Sequence, residues 1–129
     1  MEKAKIVVIE DHSNFRDIIR RVLAGTSHHI VEEAVDRESG LDVARRLRAA
    51  TIAGETLANV ILLDGNLSDD GPRDGRDARD IVGTLSIYRS HFTIINISLS
   101  TPQELGIRFD ADVGKDGINR QLLPALEAI

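Results

Sequence analysis

Hydrophobic positions come in two rhythms that alternate along the chain. Residues 6–9 form a continuous β-branched run, as expected of a central parallel strand covered on both faces. Phe15, Ile18, Ile19, Val22 and Leu23 then recur at helical spacing, and Gly25 is a stop signal. Residues 29–35 read as a second, more polar strand nearer an edge. Leu41, Ala44 and Leu47 mark a second helix with Arg45, Arg46 and Arg48 towards water, and residues 51–59 read as a long connection. Residues 60–63 are the third strand. Residues 66–75 are rich in Gly, Asp and Ser and read as a loop. A third helix follows on Ala78, Ile81, Val82 and Leu85, with Asp74 as a candidate cap. Residues 92–97 form a fourth strand, interrupted in composition by Asn96. A short segment at 101–106 and a brief fifth strand at 111–114 lead into a last helix on Ile118, Leu122, Ala125, Leu126 and Ile129. Pro124 is awkward there, because inside a helix it removes a hydrogen bond, so the helix is expected to bend or to start later than its pattern.

Strand and helix in strict alternation predict an α/β fold with a doubly wound parallel sheet. Such sheets bind ligands outside the carboxyl ends of their strands. The length of 129 residues fits one domain over 1–129, with no room for an attached output module. A hydrophobic fraction of 42% supplies a sizeable core, and at 3% aromatics that core must be built from Ile, Leu, Val and Ala. The net charge of −5 leaves no basic excess to neutralise phosphates, which argues against a nucleic-acid binder. No Cys is present, so disulfides and thiolate metal sites are excluded. No signal peptide and no apolar stretch long enough for a bilayer is seen, and a cytoplasmic location without membrane contact is expected.

Polar residues at the strand ends carry the chemistry. Glu10 and Asp11 follow the first strand, Asp64 the third, Ser98 the fourth and Lys115 the fifth. Carboxylates brought together at a sheet mouth repel each other, and a hard cation such as Mg²⁺ relieves the repulsion. A carboxylate is also a nucleophile that accepts a phosphoryl group as an acyl phosphate. That transfer needs alignment and neutralisation of the equatorial oxygens. Lys115 offers a compact point charge and Ser98 a hydroxyl donor. Asp64 is the best nucleophile candidate, since it directly follows an apolar strand and precedes an open, Gly-rich loop. Alone, each of these residues has a plainer reading: Asp64 as a strand-ending turn residue, Glu10 and Asp11 as a cap for the first helix, Lys115 as an exposed lysine. Ser100 competes with Ser98 for the hydroxyl role. His12, His28, His29 and His91 have no metal-like spacing and read as surface or turn residues. The alternation of Arg and Asp at 73–80 reads as a solvated helix start.

Four segments in order, IVVIEDH at 6–12, VILLD at 60–64, TIINIS at 93–98 and ADVGK at 111–115, resemble the receiver domains of two-component response regulators. The resemblance implies a flavodoxin-like sheet in strand order 2-1-3-4-5 with five flanking helices. It implies Asp64 as phosphoacceptor, and Mg²⁺ held by Asp11, Asp64 and the main-chain carbonyl of Asn66, with Glu10 in the acidic pair. Ser98 would be the switch hydroxyl and Lys115 the phosphate-contacting lysine. The donor would be a sensor histidine kinase or phosphotransfer protein, and output would run through protein contacts. The chain would promote only its own phosphorylation and dephosphorylation.

The sequence also departs from that family. Asp116 stands where Pro usually follows the lysine, so the bond is trans or the loop is strained. Asp112 stands where the family usually carries an aromatic that rotates inward on phosphorylation. The stretch from Ser98 to Lys115 is short, which predicts a shrunken fourth helix. The loop after Asp64 is long and acidic, with Asp69, Asp70 and Asp74. Two rival readings follow: a pseudo-receiver that binds proteins without phosphorylation, and an aspartyl phosphatase. The second lacks the usual general acid two residues past the nucleophile, where Asn66 stands.

Overall fold

The computed structural model describes residues 3–68, 71 and 73–129. Five parallel strands lie in the order β2-β1-β3-β4-β5: β1 Lys5–Ile9, β2 His29–Ala34, β3 Val60–Leu63, β4 Thr93–Asn96 and β5 Ala111–Asp112. Five α-helices connect or follow them: α1 Ser13–Leu23, α2 Arg37–Ile52, α3 Arg76–Leu85, α4 Pro102–Leu105 and α5 Ile118–Glu127. The expected fold, including the reduced fourth helix, is present.

Two-sided burial explains why the central strands are apolar without a break. Alternate residues of a strand face opposite sides of the sheet. Val7, Ile9, Ile61, Leu63 and Ile94 pack with Val43, Leu47, Ile81 and Leu85 of α2 and α3. Ile6, Val8, Val60, Leu62 and Ile95 pack on the other side with Ile19, Leu23, Ile118, Leu122 and Leu126 of α1 and α5. The polar β2 is an edge strand, and its Glu32 and Glu33 pair with Arg46 of α2 and Arg20 of α1.

Local signals account for most boundaries. Asp36 caps α2 by accepting from the Ser39 N–H at 2.8 Å, and Thr101 caps α4 in the same way through Glu104. Several details differ from the sequence reading; among them, β5 covers only Ala111–Asp112 of the expected 111–114. The α2 helix takes in Thr51 and Ile52, so the connection to β3 is shorter than expected. A 3₁₀ segment at Ser86–His91, which no pattern announced, joins α3 to β4. Pro124 lies inside α5, which nevertheless starts at Ile118 as its apolar pattern indicates. Finally, Gly75 occupies the cap position of α3, while Asp74 Oδ1 accepts the Arg76 N–H at 3.1 Å.

The charged stretch at the start of α3 does more than meet solvent. Asp77 accepts the Leu67 N–H at 3.0 Å, and Arg79 donates to the Leu105 carbonyl at 2.7 Å, tying the one-turn α4 to α3. Asp69 and Asp70 lie outside the described residues.

Candidate functional site

Parallel strands all end on one side of the sheet, and the register carries β1 and β3 to that edge together: Ile9 is level with Leu63. The next residues, Glu10 and Asp64, therefore emerge side by side. Both are buried, at 0% and 3% exposure. Lys115 reaches in from the segment after β5, held by a Lys115 N–H to Ser98 carbonyl bond of 3.1 Å. Its Nζ lies 2.9 Å from Glu10 Oε1 and donates to Asp64 Oδ2 at 3.1 Å. Lys115 is 7% exposed, so the reading of it as an ordinary surface lysine fails. The described peptide bonds are all trans, the one before Asp116 included.

Electrostatics follow from that burial. Desolvation, with a hydrogen bond to Asp64 and its charge, pushes the Glu10 carboxyl up from 4.5 to about 9; Lys115 offsets only part of this. Burial alone would lower Lys115, but Glu10 and Asp64 outweigh it and hold the ammonium above its usual value. Phe15 of α1 adds its ring face 4.6 Å from Nζ.

Asp11 and His12 complete a tight group. Ligand atoms of Glu10, Asp11, His12 and Asp64 all lie within 4.8 Å of one another. Asp11 Oδ1 is buried and accepts no hydrogen bond. That oxygen faces His12 Nδ1 at 3.1 Å, and three carboxylates converging beside an imidazole fit an oxygen-seeking divalent cation. Neither Glu10 nor Asp11 caps α1, whose cap position is His12; Glu10 Oε2 instead accepts the His12 N–H at 3.3 Å. A cleft of about 200 Å³ opens over the group, lined by His12, Phe15, Asp64, Asn66, Arg73, Leu99 and Lys115. Asn66 belongs to it through the loop after β3, its N–H donating to Asp64 Oδ1 at 3.3 Å.

Ser98 is at the same edge and buried, yet its hydroxyl is bonded to Asn96 Oδ1 at 2.7 Å and the Ser100 carbonyl at 3.0 Å, not to the Asp64–Lys115 pair. The sequence reading gave no site role to His12, Phe15 and Asn96, and singled out Asp112 only as a departure from the receiver pattern. His12 directly follows the acidic pair, and Asn96 is a polar residue in a strand buried on both faces; either was a legible signal. His28 is a correction of a different kind. It is 3% exposed, accepting the Ala4 N–H at 3.0 Å on Nδ1 and pairing Nε2 with Glu127 at 2.8 Å, so it is not a surface residue.

No family model and no curated protein matches the chain. Solved structures do. The receiver domain of the histidine kinase CKI1 from Arabidopsis thaliana, complexed with Mg²⁺, superposes with a TM-score of 0.73 at 18% identity, over 97% of this chain and 90% of that one. The signal receiver domain of the response regulator NarL from Mycobacterium tuberculosis gives 0.66 at 22% identity over 100% of both chains. The response regulator RcsB from Salmonella typhimurium gives 0.68 at 19% identity over 99% of this chain, which spans 60% of that protein's length. The fold is that of receiver domains. Among the described residues, no helix is long and apolar enough to cross a membrane.

Proposed function

We propose that the chain is a phosphorylation-dependent signalling switch that accepts a phosphoryl group on Asp64 from a sensor histidine kinase or phosphotransfer protein. The observation that carries this reading is the placement of Lys115 Nζ between Glu10 and Asp64, beside an acidic group suited to a cation, at the open end of the sheet. In the forward step an Asp64 oxygen attacks phosphorus. The phosphorus–nitrogen bond to the donor histidine breaks, and its electron pair goes to the imidazole. The product is an acyl phosphate on Asp64.

Asp11, Asp64 and the Asn66 carbonyl would hold Mg²⁺, with Glu10 directly or through water. The cation would supply charge neutralisation at the phosphoryl oxygens. Lys115, kept protonated by its two carboxylates, exchanges its contact with Asp64 for a phosphoryl oxygen. Ser98 can donate to another once it leaves Asn96. Dephosphorylation is a separate hydrolysis: water attacks phosphorus, the phosphorus–oxygen bond to Asp64 breaks with its electron pair going to the carboxylate, and inorganic phosphate and a proton leave. The protein thus consumes no external substrate beyond its donor and is not an enzyme in the metabolic sense. Output runs through protein contacts in the cytoplasm.

Asp112 and Asp116, where receiver domains usually carry an aromatic and a proline, favour a second reading: a pseudo-receiver that binds partners without phosphorylation. Intact mass spectrometry after incubation with Mg²⁺ and a small acyl-phosphate donor separates the two. The proposed switch gains one phosphoryl group, and the gain vanishes in Asp64→Asn. A protein that binds Mg²⁺ but gains no mass is a pseudo-receiver.

A further inference from the structure

We propose that Asn96 and Asp112 are positioning residues that hold the Ser98 hydroxyl on Asn96 in the resting protein, so that β5 registers whether Ser98 has turned to a phosphoryl group. This rests on the proposed function for its second half only. The resting arrangement stands on geometry.

Asn96 is fully buried in β4, and its side-chain amide is saturated. Oδ1 accepts the Ser98 N–H at 3.0 Å and the Ser98 hydroxyl at 2.7 Å. Nδ2 donates to the Ser100 carbonyl at 3.0 Å and to Asp112 Oδ1 at 2.9 Å. Three of these partners have fixed polarity: a main-chain N–H only donates, whereas a main-chain carbonyl and an ionised carboxylate only accept. They leave one orientation for the amide, with its oxygen towards Ser98. The hydroxyl facing that oxygen must be a donor, and its single proton is shared between Asn96 Oδ1 at 2.7 Å and the Ser100 carbonyl at 3.0 Å, the nearer being Asn96.

A hydroxyl so engaged cannot donate to a third group without letting go of Asn96 and the Ser100 carbonyl. When Ser98 turns towards a phosphoryl oxygen on Asp64, Asn96 Oδ1 loses one of its two donors. The amide is then held mainly through Nδ2, by Ser100 and Asp112. Asp112 is exposed at the sheet edge, so the change at a buried hydroxyl reaches the surface in two hydrogen bonds. A carboxylate at this position does by polarity what the bulk of a side chain would do by packing.

The test uses isotope-labelled full-length chain and nuclear magnetic resonance, reading the Asn96 side-chain amide and the Ser98 χ1 angle from three-bond couplings. In the unmodified protein, Asp112→Ala should shift the Asn96 amide signals and mix the Ser98 rotamers, while the far-strand signals of β2 stay in place. Unchanged Asn96 and Ser98 signals in that variant overturn the proposal, whether or not Asp64 accepts a phosphoryl group. In wild type with Mg²⁺ and acyl phosphate, the Ser98 rotamer and the Asn96 amide should change together, in proportion to the phosphoryl mass. A phosphorylated protein whose Ser98 rotamer stays as before also overturns it. Failure to gain mass counts against the proposed function, and the Asp112→Ala comparison still decides the resting arrangement.

Discussion

Leu105 occupies the space that a side chain at residue 65 would need: a Cβ built on Gly65 would meet Leu105 Cδ1 at 2.7 Å and Cγ at 3.1 Å. The short α4 thus docks its one buried leucine on the loop that leaves Asp64. Gly65→Ala should destabilise the protein by about 1–3 kcal/mol through overpacking. Gly75→Ala should cost more, since its Cβ would meet Leu105 main-chain atoms at 2.8 Å and its φ is +80°. Gly83→Ala, on the exposed side of α3 with nothing nearby, should instead stabilise by about 0.5–1 kcal/mol. Urea unfolding ranks the three; a Gly65→Ala variant as stable as wild type would contradict the packing.

Glu10 makes the metal-free protein sensitive to pH. Its carboxyl ionises near 4.5 in the unfolded chain and near 9 in the folded one. Between those values the folded state holds the extra proton, so stability falls as pH rises through that window and is level on either side. The slope attributable to this group is at most about 1.4 kcal/mol per pH unit. Lys115, raised above its ordinary value, acts only at higher pH and leaves the window untouched. Denaturation curves at several pH values, with chelator present, should show the decline in wild type and a flatter profile in Glu10→Gln. Equal slopes in the two proteins would refute the assignment.

The alternation of strand and helix, the site edge and the polar edge strand were legible in the sequence, because each depends on local rhythm; the order of the strands came only from the resemblance to receiver domains. Residues 60–63 read as the third strand, and β3 is Val60–Leu63. Contacts between distant segments were not legible. Nothing local to His28 reveals that Ala4 and Glu127 will close over it, and nothing local to Phe15 places its ring on Lys115. Asn96 lies between these cases. Its identity announced a buried hydrogen-bonding duty, but not the partner on β5.

Asp11 contributes a buried carboxylate oxygen to the acidic group, with the His12 imidazole 3.1 Å away. Asp11→Ala should therefore bind Mg²⁺ at least tenfold more weakly, a loss of about 1.4 kcal/mol or more. Calorimetric titration checks this, and an unchanged affinity would remove Asp11 from the ligand set. The fold should survive the substitution, since Asp11 lies between β1 and α1 rather than in either.

His28 should matter for stability and not for cation binding. Removing its ring leaves the N–H of fully buried Ala4 without its acceptor, which costs about 1–3 kcal/mol. His28→Ala should thus unfold at lower denaturant with Mg²⁺ affinity intact. Glu127→Ala, which removes only an exposed partner, should change little. The reverse ranking would show that the α5 contact, not the Ala4 bond, is what His28 provides.

The three ionisable groups at the mouth of the sheet come from the ends of β1, β3 and β5, so no stretch of chain shorter than Glu10 to Lys115 holds them all. During synthesis, the carboxylates of residues 10 and 64 can meet as soon as β3 joins β1, but their counter-charge arrives only with the last strand. An incomplete molecule therefore carries a mutually repelling acidic pair at its growing edge, and a finished one carries a neutralised pair. Competence at this site is a certificate that the first, third and fifth strands have come together.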